Sequence, residues 1–338
     1  LFLRKRRARA YAAIALTSAM PPATALSRWD RPIQVSLWQG ALQASGAWAA
    51  ELRALAKAAR AERAELLLTP ELCLPGYHNF GREGFDIEAA VVEAEVSRIC
   101  KEEGLAMCVG FAEHRCKGDP NGGFWNTAVL VDRFGEVKMR YRKHHLWGNE
   151  GNLGLLASDD DLQVVELDIG GSTVRTSIVI CYDVEFPEMV RLLACQPHRV
   201  ELLLVPTALP YTEPNAATKI VPARAMENRI FVMYCNYPCV ERVDAEFFCG
   251  HSCVAGPDGN FVAGPCDWAD EKLLTCELSW TEHLRWLVAE TPYLRDRRPD
   301  FYRGQGLCGA KGGEGRARGG ASEGARRPGP QSAEAAGE

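Results

Sequence analysis

Cys181 ends an apolar run, Thr176-Ser177-Ile178-Val179-Ile180, and is followed at once by Tyr182-Asp183-Val184-Glu185-Phe186-Pro187-Glu188. A strand that stops at a cysteine and turns into an acidic helix start exposes a thiol at its tip, near backbone N–H groups. Those groups favour a thiolate and can hold an oxyanion. A free thiol is mostly protonated near neutral pH, so a base or a positive field must generate the nucleophile. Two kinds of partner are open. Histidine is the usual one, but among the seven histidines only His144 and His145 form a pattern, and no Cys-His protease signature surrounds them. A carboxylate with a lysine is the other. Glu71 stands just past an apolar strand, at the opening of the loop Thr69-Pro70-Glu71-Leu72-Cys73-Leu74-Pro75-Gly76-Tyr77. Lys143 begins a second loop in Tyr141-Arg142-Lys143-His144-His145-Leu146, and Glu150 follows seven residues later. Strand ends at one edge of a sheet are where open α/β proteins collect their chemistry. Taken singly, Glu71, Lys143 and Glu150 each match what is far more often a solvated surface side chain.

The elements that would position them alternate between strand and helix. Strands are predicted at 33–39, 65–69, 105–113, 127–134, 162–168, 173–180, 201–205, 230–236, 247–255, 260–263 and 272–278. The turn Gly170-Gly171 makes a hairpin of the fifth and sixth, and Pro257-Asp258-Gly259 separates two late strands. Helices are predicted at 47–63, where Trp48, Leu52 and Leu55 share a face, at 87–103, at 187–195 and at 216–228. Hairpins mixed with βα units imply an α/β domain whose sheets are covered by helices.

The 338 residues can bury a sizeable core, and 47% hydrophobic with 25% charged residues is ordinary globular composition. A net charge of −5 gives no reason to expect nucleic acid or an anionic membrane as partner, and no apolar run is long enough to span a bilayer. Thirteen cysteines, an odd number scattered through strand-like segments, read as reduced thiols of an intracellular protein, cytoplasmic or organellar. Residues 1–30 are a basic leader whose first acid is Asp30; the composition suits a transit peptide, or a signal peptide with a short apolar centre, with a disordered leader or translated upstream sequence as the alternative. Residues 31–302 form the predicted domain. Residues 303–338 are Gly, Ala, Arg, Glu and Pro with almost no large apolar side chains, and are expected to be disordered.

Together the segments resemble the nitrilase superfamily of carbon–nitrogen hydrolases, over about residues 31–290. Pro70-Glu71 with Leu74-Pro75-Gly76-Tyr77 resembles its first motif, and Tyr141-Arg142-Lys143 with His145-Leu146 its second. Cys181-Tyr182-Asp183 with Phe186-Pro187-Glu188 and Arg191 resembles its third. Leu203-Leu204-Val205-Pro206, Ala223-Arg224-Ala225-Met226-Glu227-Asn228 and Gly250-His251-Ser252 with Gly256-Pro257-Asp258-Gly259 are similar to later segments of the family. The resemblance implies a four-layer α-β-β-α sandwich that forms a homodimer or larger homo-oligomer, with no cofactor and no metal. It implies a Glu71-Lys143-Cys181 triad that hydrolyses a non-peptide C–N bond through a cysteine thioester. Glu150 matches a second glutamate near the lysine; the Tyr182 backbone N–H would help hold the oxyanion, and Tyr77 and Trp147 would support the substrate.

Tyr182-Asp183 after the cysteine is more similar to the amidase-like branches than to true nitrilases. A small aliphatic or amino-acid amide is therefore expected, with nitrile or N-carbamoyl substrates as alternatives. Glu185 departs from the arginine often found in those branches, which weighs against a dicarboxylate monoamide. A non-catalytic metabolite-binding member of the fold, or acyl transfer from the same thioester, are the other readings. Cys235, Cys239, Cys249 and Cys253 have spacings at which zinc is conceivable, but the segments read as strands in which every fourth residue shares a face.

Overall fold

The computed structural model describes residues 29, 31–42, 47–74, 76–77, 88–115, 122–239 and 248–305. The basic leader (apart from Trp29) and the low-complexity tail beyond Gln305 lie outside the described residues, as do the predicted starts of the helix at 87 and the strand at 247.

Two mixed sheets form the body. The first runs β13(Lys272–Leu278)-β1(Ile33–Gln39)-β2(Leu66–Leu68)-β3(Ala106–His114)-β4(Phe124–Val131)-β5(Val137–Arg142), with β6(Leu155–Leu156) added beside β4. The second runs β12(Phe261–Ala263)-β11(Cys253–Ala255)-β10(Phe231–Cys235)-β9(Leu202–Pro206)-β8(Ser172–Ile178)-β7(Val165–Ile169). Each has three parallel strands at its centre, β1-β2-β3 and β8-β9-β10, with antiparallel neighbours outside.

Period-two patterning sorts the first sheet's side chains into two cores. Val35, Leu37, Leu66, Leu68, Ala106, Cys108, Ala128 and Leu130 point inward to the second sheet. Their alternates, Trp38, Leu67, Met107, Val109, Val129 and Val131, point outward. The outer set packs against α1(Trp48–Ala61), through Leu52, Ala56 and Ala59, and α2(Ala89–Glu103), through Val92, Val96, Ile99 and Cys100. On the far side, α3(Pro187–Cys195) and α4(Val221–Asn228) bury Val190, Leu193, Val221 and Ala225 in the core shared with the second sheet. The layers are thus helix, sheet, sheet, helix, the α-β-β-α sandwich that the resemblance implied.

The differences from the sequence reading are local. The segment 127–134 is a strand from Phe124 to Val131, and β5 and β6 were not foreseen. The helix expected at 216–228 opens with a π-helical turn, Ala216–Ile220, before α4. A fifth helix, α5(Glu282–Glu290), is capped by Thr281, whose hydroxyl accepts from the Leu284 N–H at 3.2 Å, and buries Leu284 and Val288. The chain divides after Asp296; the part that follows contains the short helix α6(Pro299–Gly304). Two of the four cysteines considered for zinc make contacts to separate backbone carbonyls. Cys235 Sγ donates to the Trp38 and Leu68 carbonyls at 3.1 and 3.4 Å, and Cys253 Sγ to Ala217 O at 3.8 Å. Among the described residues no three His, Cys, Asp or Glu side chains gather as a metal-ligand set.

Candidate active site

The site lies where loops after β2, β5, β8 and β9 meet. Glu71 follows β2 on a turn pressed against β3. A Cβ added at Gly110 would sit 2.5 Å from Pro70 O and 2.9 Å from Leu72 N, so only glycine lets the turn come this close. Leu72 takes the left-handed conformation, φ 48°. The turn is tied to the second sheet by the Glu71 N–H to Thr207 O, 3.3 Å, and by the Tyr237 hydroxyl donating to Glu71 O, 2.8 Å.

The Glu71 carboxylate is buried, and its two oxygens have different surroundings. Oε1 accepts from Asn126 Nδ2 at 2.6 Å and from Lys143 Nζ at 2.7 Å. Oε2 is buried with no fixed hydrogen-bond partner, and Cys181 is among the groups that act on this carboxylate. Lys143, 1% exposed, also donates to Glu150 Oε1 at 2.8 Å, so one ammonium bridges two buried carboxylates. Glu150 is held in turn by the Tyr77 hydroxyl at 3.0 Å and the Trp147 N–H at 2.7 Å.

Burial pushes the Glu71 carboxyl above its ordinary range; Lys143 opposes the shift and Glu150 adds to it. Burial alone would lower the Lys143 ammonium, but Glu71, Cys181 and Glu150 outweigh it and raise it. The Cys181 thiol is raised well above its ordinary value by burial and by Glu71, against the pull of Lys143 and the Ala208 backbone. Burial thus favours the protonated thiol over the thiolate.

Cys181 is 7% exposed and opens the 3₁₀ turn Cys181–Glu185 with φ 47°, a conformation that side chains rarely adopt. Asp183, fully buried, holds that turn to the Lys143 loop. Its Oδ1 accepts from the His145 N–H and from His145 Nδ1, both at 2.8 Å. Its Oδ2 accepts from the Tyr141 hydroxyl at 2.7 Å, the Ile180 N–H at 3.3 Å and the His144 N–H at 3.4 Å. From the other side, the Arg224 guanidinium donates to the Val184 and Glu185 carbonyls at 2.9 and 2.7 Å.

Glu71, Tyr77, Lys143, Trp147, Glu150 and Cys181 line one cleft of about 240 Å³, mouth included; Glu185 and Ala208-Leu209-Pro210 complete its wall. Six of the seven residues singled out from sequence thus face one cavity. The seventh, Tyr182, sends its ring away to meet Phe186 edge-on at 4.9 Å, leaving only its backbone beside the thiol. Asn126, Asp183 and Tyr237 were missed as site residues. Asp183 carried the one available signal, an acid two residues past the cysteine, while Asn126 and Tyr237 sit in ordinary strand contexts.

A four-layer sandwich with a cysteine on a strand-end turn, beside a lysine shared by two glutamates, has the layout of a carbon–nitrogen hydrolase. Residues 18–282 match the carbon-nitrogen hydrolase family model, and the chain belongs to that family. It is 36% identical over 258 residues to a Pseudomonas protegens protein described as a hydrolase in the pqqF 5′ region, covering 72% of this chain and 82% of that one. It is 30% identical over 249 residues to the 2-oxoglutaramate amidase of Paenarthrobacter nicotinovorans, with the same coverage of 72% and 82%. The NitN amidase from a Nesterenkonia species, strain AN1, superposes with a TM-score of 0.66 at 31% identity, over 81% of this chain and 99% of that one. Variants of that amidase have been seen in complex with butyramide and carrying the acetamide moiety of fluoroacetamide on the active-site cysteine. The chain is accordingly an amidase-type carbon–nitrogen hydrolase of the nitrilase superfamily. Among the described residues no helix is long and apolar enough to cross a membrane.

Proposed function

We propose that the protein hydrolyses a small aliphatic or amino-acid amide to carboxylate and ammonia, with Cys181 as nucleophile, Glu71 as general base and acid, and Lys143 as oxyanion donor. The observation that carries this is the division of labour in the Glu71 carboxylate. Oε1 is fixed by Asn126 and Lys143, while Oε2 is buried and uncommitted in the cleft that holds the thiol. Oε2 takes the thiol proton as sulfur attacks the amide carbon. The protonated carboxyl, whose raised pKa suits it to hold a proton, passes that proton to the departing nitrogen and then draws one from water to open the thioester. An ammonium has three N–H donors; Lys143 gives two to Glu71 and Glu150, which leaves the third for the oxyanion beside the Tyr182 backbone N–H. Glu150, fixed by Tyr77 and Trp147, keeps the lysine in register.

A narrow cleft favours a small acyl group, and relatives described as amidases, one of them seen with butyramide, support an amide over a nitrile or N-carbamoyl substrate. A homodimer or larger homo-oligomer is the assembly we carry forward. Leu192 on α3 and Met226 on α4, 57% and 40% exposed on the outer helical layer, support it.

The test combines product and intermediate. The protein incubated with butyramide is expected to release ammonia and to show an acyl adduct on Cys181 in the mass spectrum of the quenched enzyme. Cys181→Ala is expected to lose both while keeping the far-UV spectrum of the parent. Ammonia release by the alanine variant at the parent rate would remove Cys181 from the chemistry.

A further inference from the structure

One carboxylate on the cleft wall has no role in the steps above. Glu185 closes the Cys181–Glu185 turn and faces the same cavity as the thiol. At about 2 Å of rise per residue, four steps place its backbone roughly 8 Å along the turn from that of Cys181. The side chain is half-buried, yet its carboxylate takes no hydrogen bond or ion pair from the described residues; only its backbone carbonyl is engaged. The neighbouring cations are committed elsewhere. Arg224 directs its N–H groups to the Val184 and Glu185 carbonyls and to Glu227 Oε1, and Lys143 serves Glu71 and Glu150. Burial and the nearby Glu213 hold the Glu185 carboxyl above the usual range, against Arg224 and Lys143.

Two further features of the cavity point the same way. Its wall carries three carboxylates, Glu71, Glu150 and Glu185, against the single ammonium of Lys143. The Trp147 indole, 39% exposed, forms part of that wall, and an indole face attracts cations. A half-buried carboxylate without a partner, on the wall of a substrate cleft, is completed by a positive charge that the substrate brings.

We propose that Glu185 selects amides whose acyl chain carries a protonated amine, namely amino-acid and aminoalkyl amides, and disfavours those whose chain ends in a carboxylate. The cation sits between the Glu185 carboxylate and the Trp147 face while the amide carbon lies at Cys181. This rests on the amidase reading of the cleft and narrows it to a substrate class.

The experiment uses the intact protein and two matched pairs of amides. 3-Aminopropanamide and butyramide have the same shape and differ by a positive charge; succinamate and succinamide differ by a negative one. The parent enzyme is expected to show kcat/KM at least tenfold higher for 3-aminopropanamide than for butyramide, and at least tenfold lower for succinamate than for succinamide. Glu185→Gln is expected to shrink the first ratio fivefold or more. The ratio, rather than either rate, is the readout, because a general disturbance of the turn lowers both substrates together. A parent ratio near one for the cationic pair, or a Glu185→Gln variant that keeps the parent ratio, overturns the assignment. With butyramide turned over and the ratios flat, the charge selection fails while the amidase reading stands. If none of the four amides releases ammonia or acylates Cys181, the amidase reading fails and the selection falls with it.

Discussion

In the first sheet the parallel strands β1-β2-β3 place Glu71 three residues past the end of β2, and the antiparallel edge places Lys143 one residue past β5. In the second, β8-β9-β10 place Cys181 three residues past β8 and Ala208 two past β9. The strand plans match, but the contributions do not. The first sheet and its loops supply the buried charges, and each is held by named partners: Asn126 for Glu71, Tyr77 and Trp147 for Glu150. The second supplies the thiol, on a backbone held at φ 47°. Charge is thus preassembled on one side, and the thiol is presented from the other. In the proposed mechanism the two halves meet only as the sheets pack, through their shared apolar core and a few polar ties at the seam.

The charged side is broken most severely by Lys143→Met. Glu71 and Glu150, 1% and 2% exposed, would then share a cavity without a cation. Removing one partner from buried ion pairs typically costs about 3–5 kcal/mol, and urea unfolding should show a loss of that order, with turnover abolished. Adding Glu71→Gln to Lys143→Met should return part of the stability and none of the activity. A Lys143→Met protein as stable as the parent would mean that the first sheet does not store its charges as a coupled set.

Glu71→Gln alone separates charge from position. It keeps an oxygen for Lys143 and removes the proposed base, so kcat/KM is expected to fall at least about a hundredfold. Its stability should move the other way. The folded carboxyl is raised above its ordinary 4.5, so the folded chain holds this proton more tightly than the unfolded one. Parent stability therefore declines as pH climbs from about 4.5 through the folded value, and above that the penalty is constant. The glutamine variant lacks that decline. Unfolding free energies across this range check the sign; a variant with the parent's pH slope would show that Glu71 is not the group held out of its ordinary range.

The same asymmetry explains what could be read from sequence. Glu71 and Cys181 each follow a recognisable strand, and with Lys143 they stand in local motifs, so residue types and order were enough to single them out. β5 was missed although Val137-Lys138-Met139-Arg140-Tyr141-Arg142 alternates apolar with charged residues, the period-two pattern of a half-buried strand whose buried positions are Met139 and Tyr141. Helix α5 was missed because its buried face is narrow, Leu284 and Val288, and rests on a core built by distant residues. Asn126 and Tyr237 gain their roles from pairings more than fifty residues away, with Glu71 Oε1 and Glu71 O, that no local pattern encodes. Tyr182 was singled out as the residue after the thiol, and the turn at Cys181 sends its ring towards Phe186.

The seam itself offers the gentlest test, through Asp183. This residue belongs to the second sheet's turn, but four of its five donors, the Tyr141 hydroxyl, the His144 and His145 N–H groups and His145 Nδ1, come from the loop that starts at Lys143, or from the strand before it. An ionised carboxylate only accepts, so the His145 Nδ1 beside Oδ1 carries the proton. Asp183→Asn replaces one accepting oxygen by an NH₂ that faces donors. The tyrosine hydroxyl can rotate to accept from it, whereas backbone N–H groups cannot. Leaving a buried donor unsatisfied costs about 1–3 kcal/mol, and unfolding should register a loss in that range. With the turn and the lysine loop no longer clamped, kcat is expected to drop about tenfold, close to 1.4 kcal/mol of barrier, with KM changed much less. The modification rate of Cys181 by a neutral alkylating reagent should fall along with kcat, because both depend on the thiol facing Glu71. If stability falls while kcat and the alkylation rate hold at parent values, Asp183 is a fastener of the fold, and the alignment of sulfur with the charged side comes from the apolar core between the sheets.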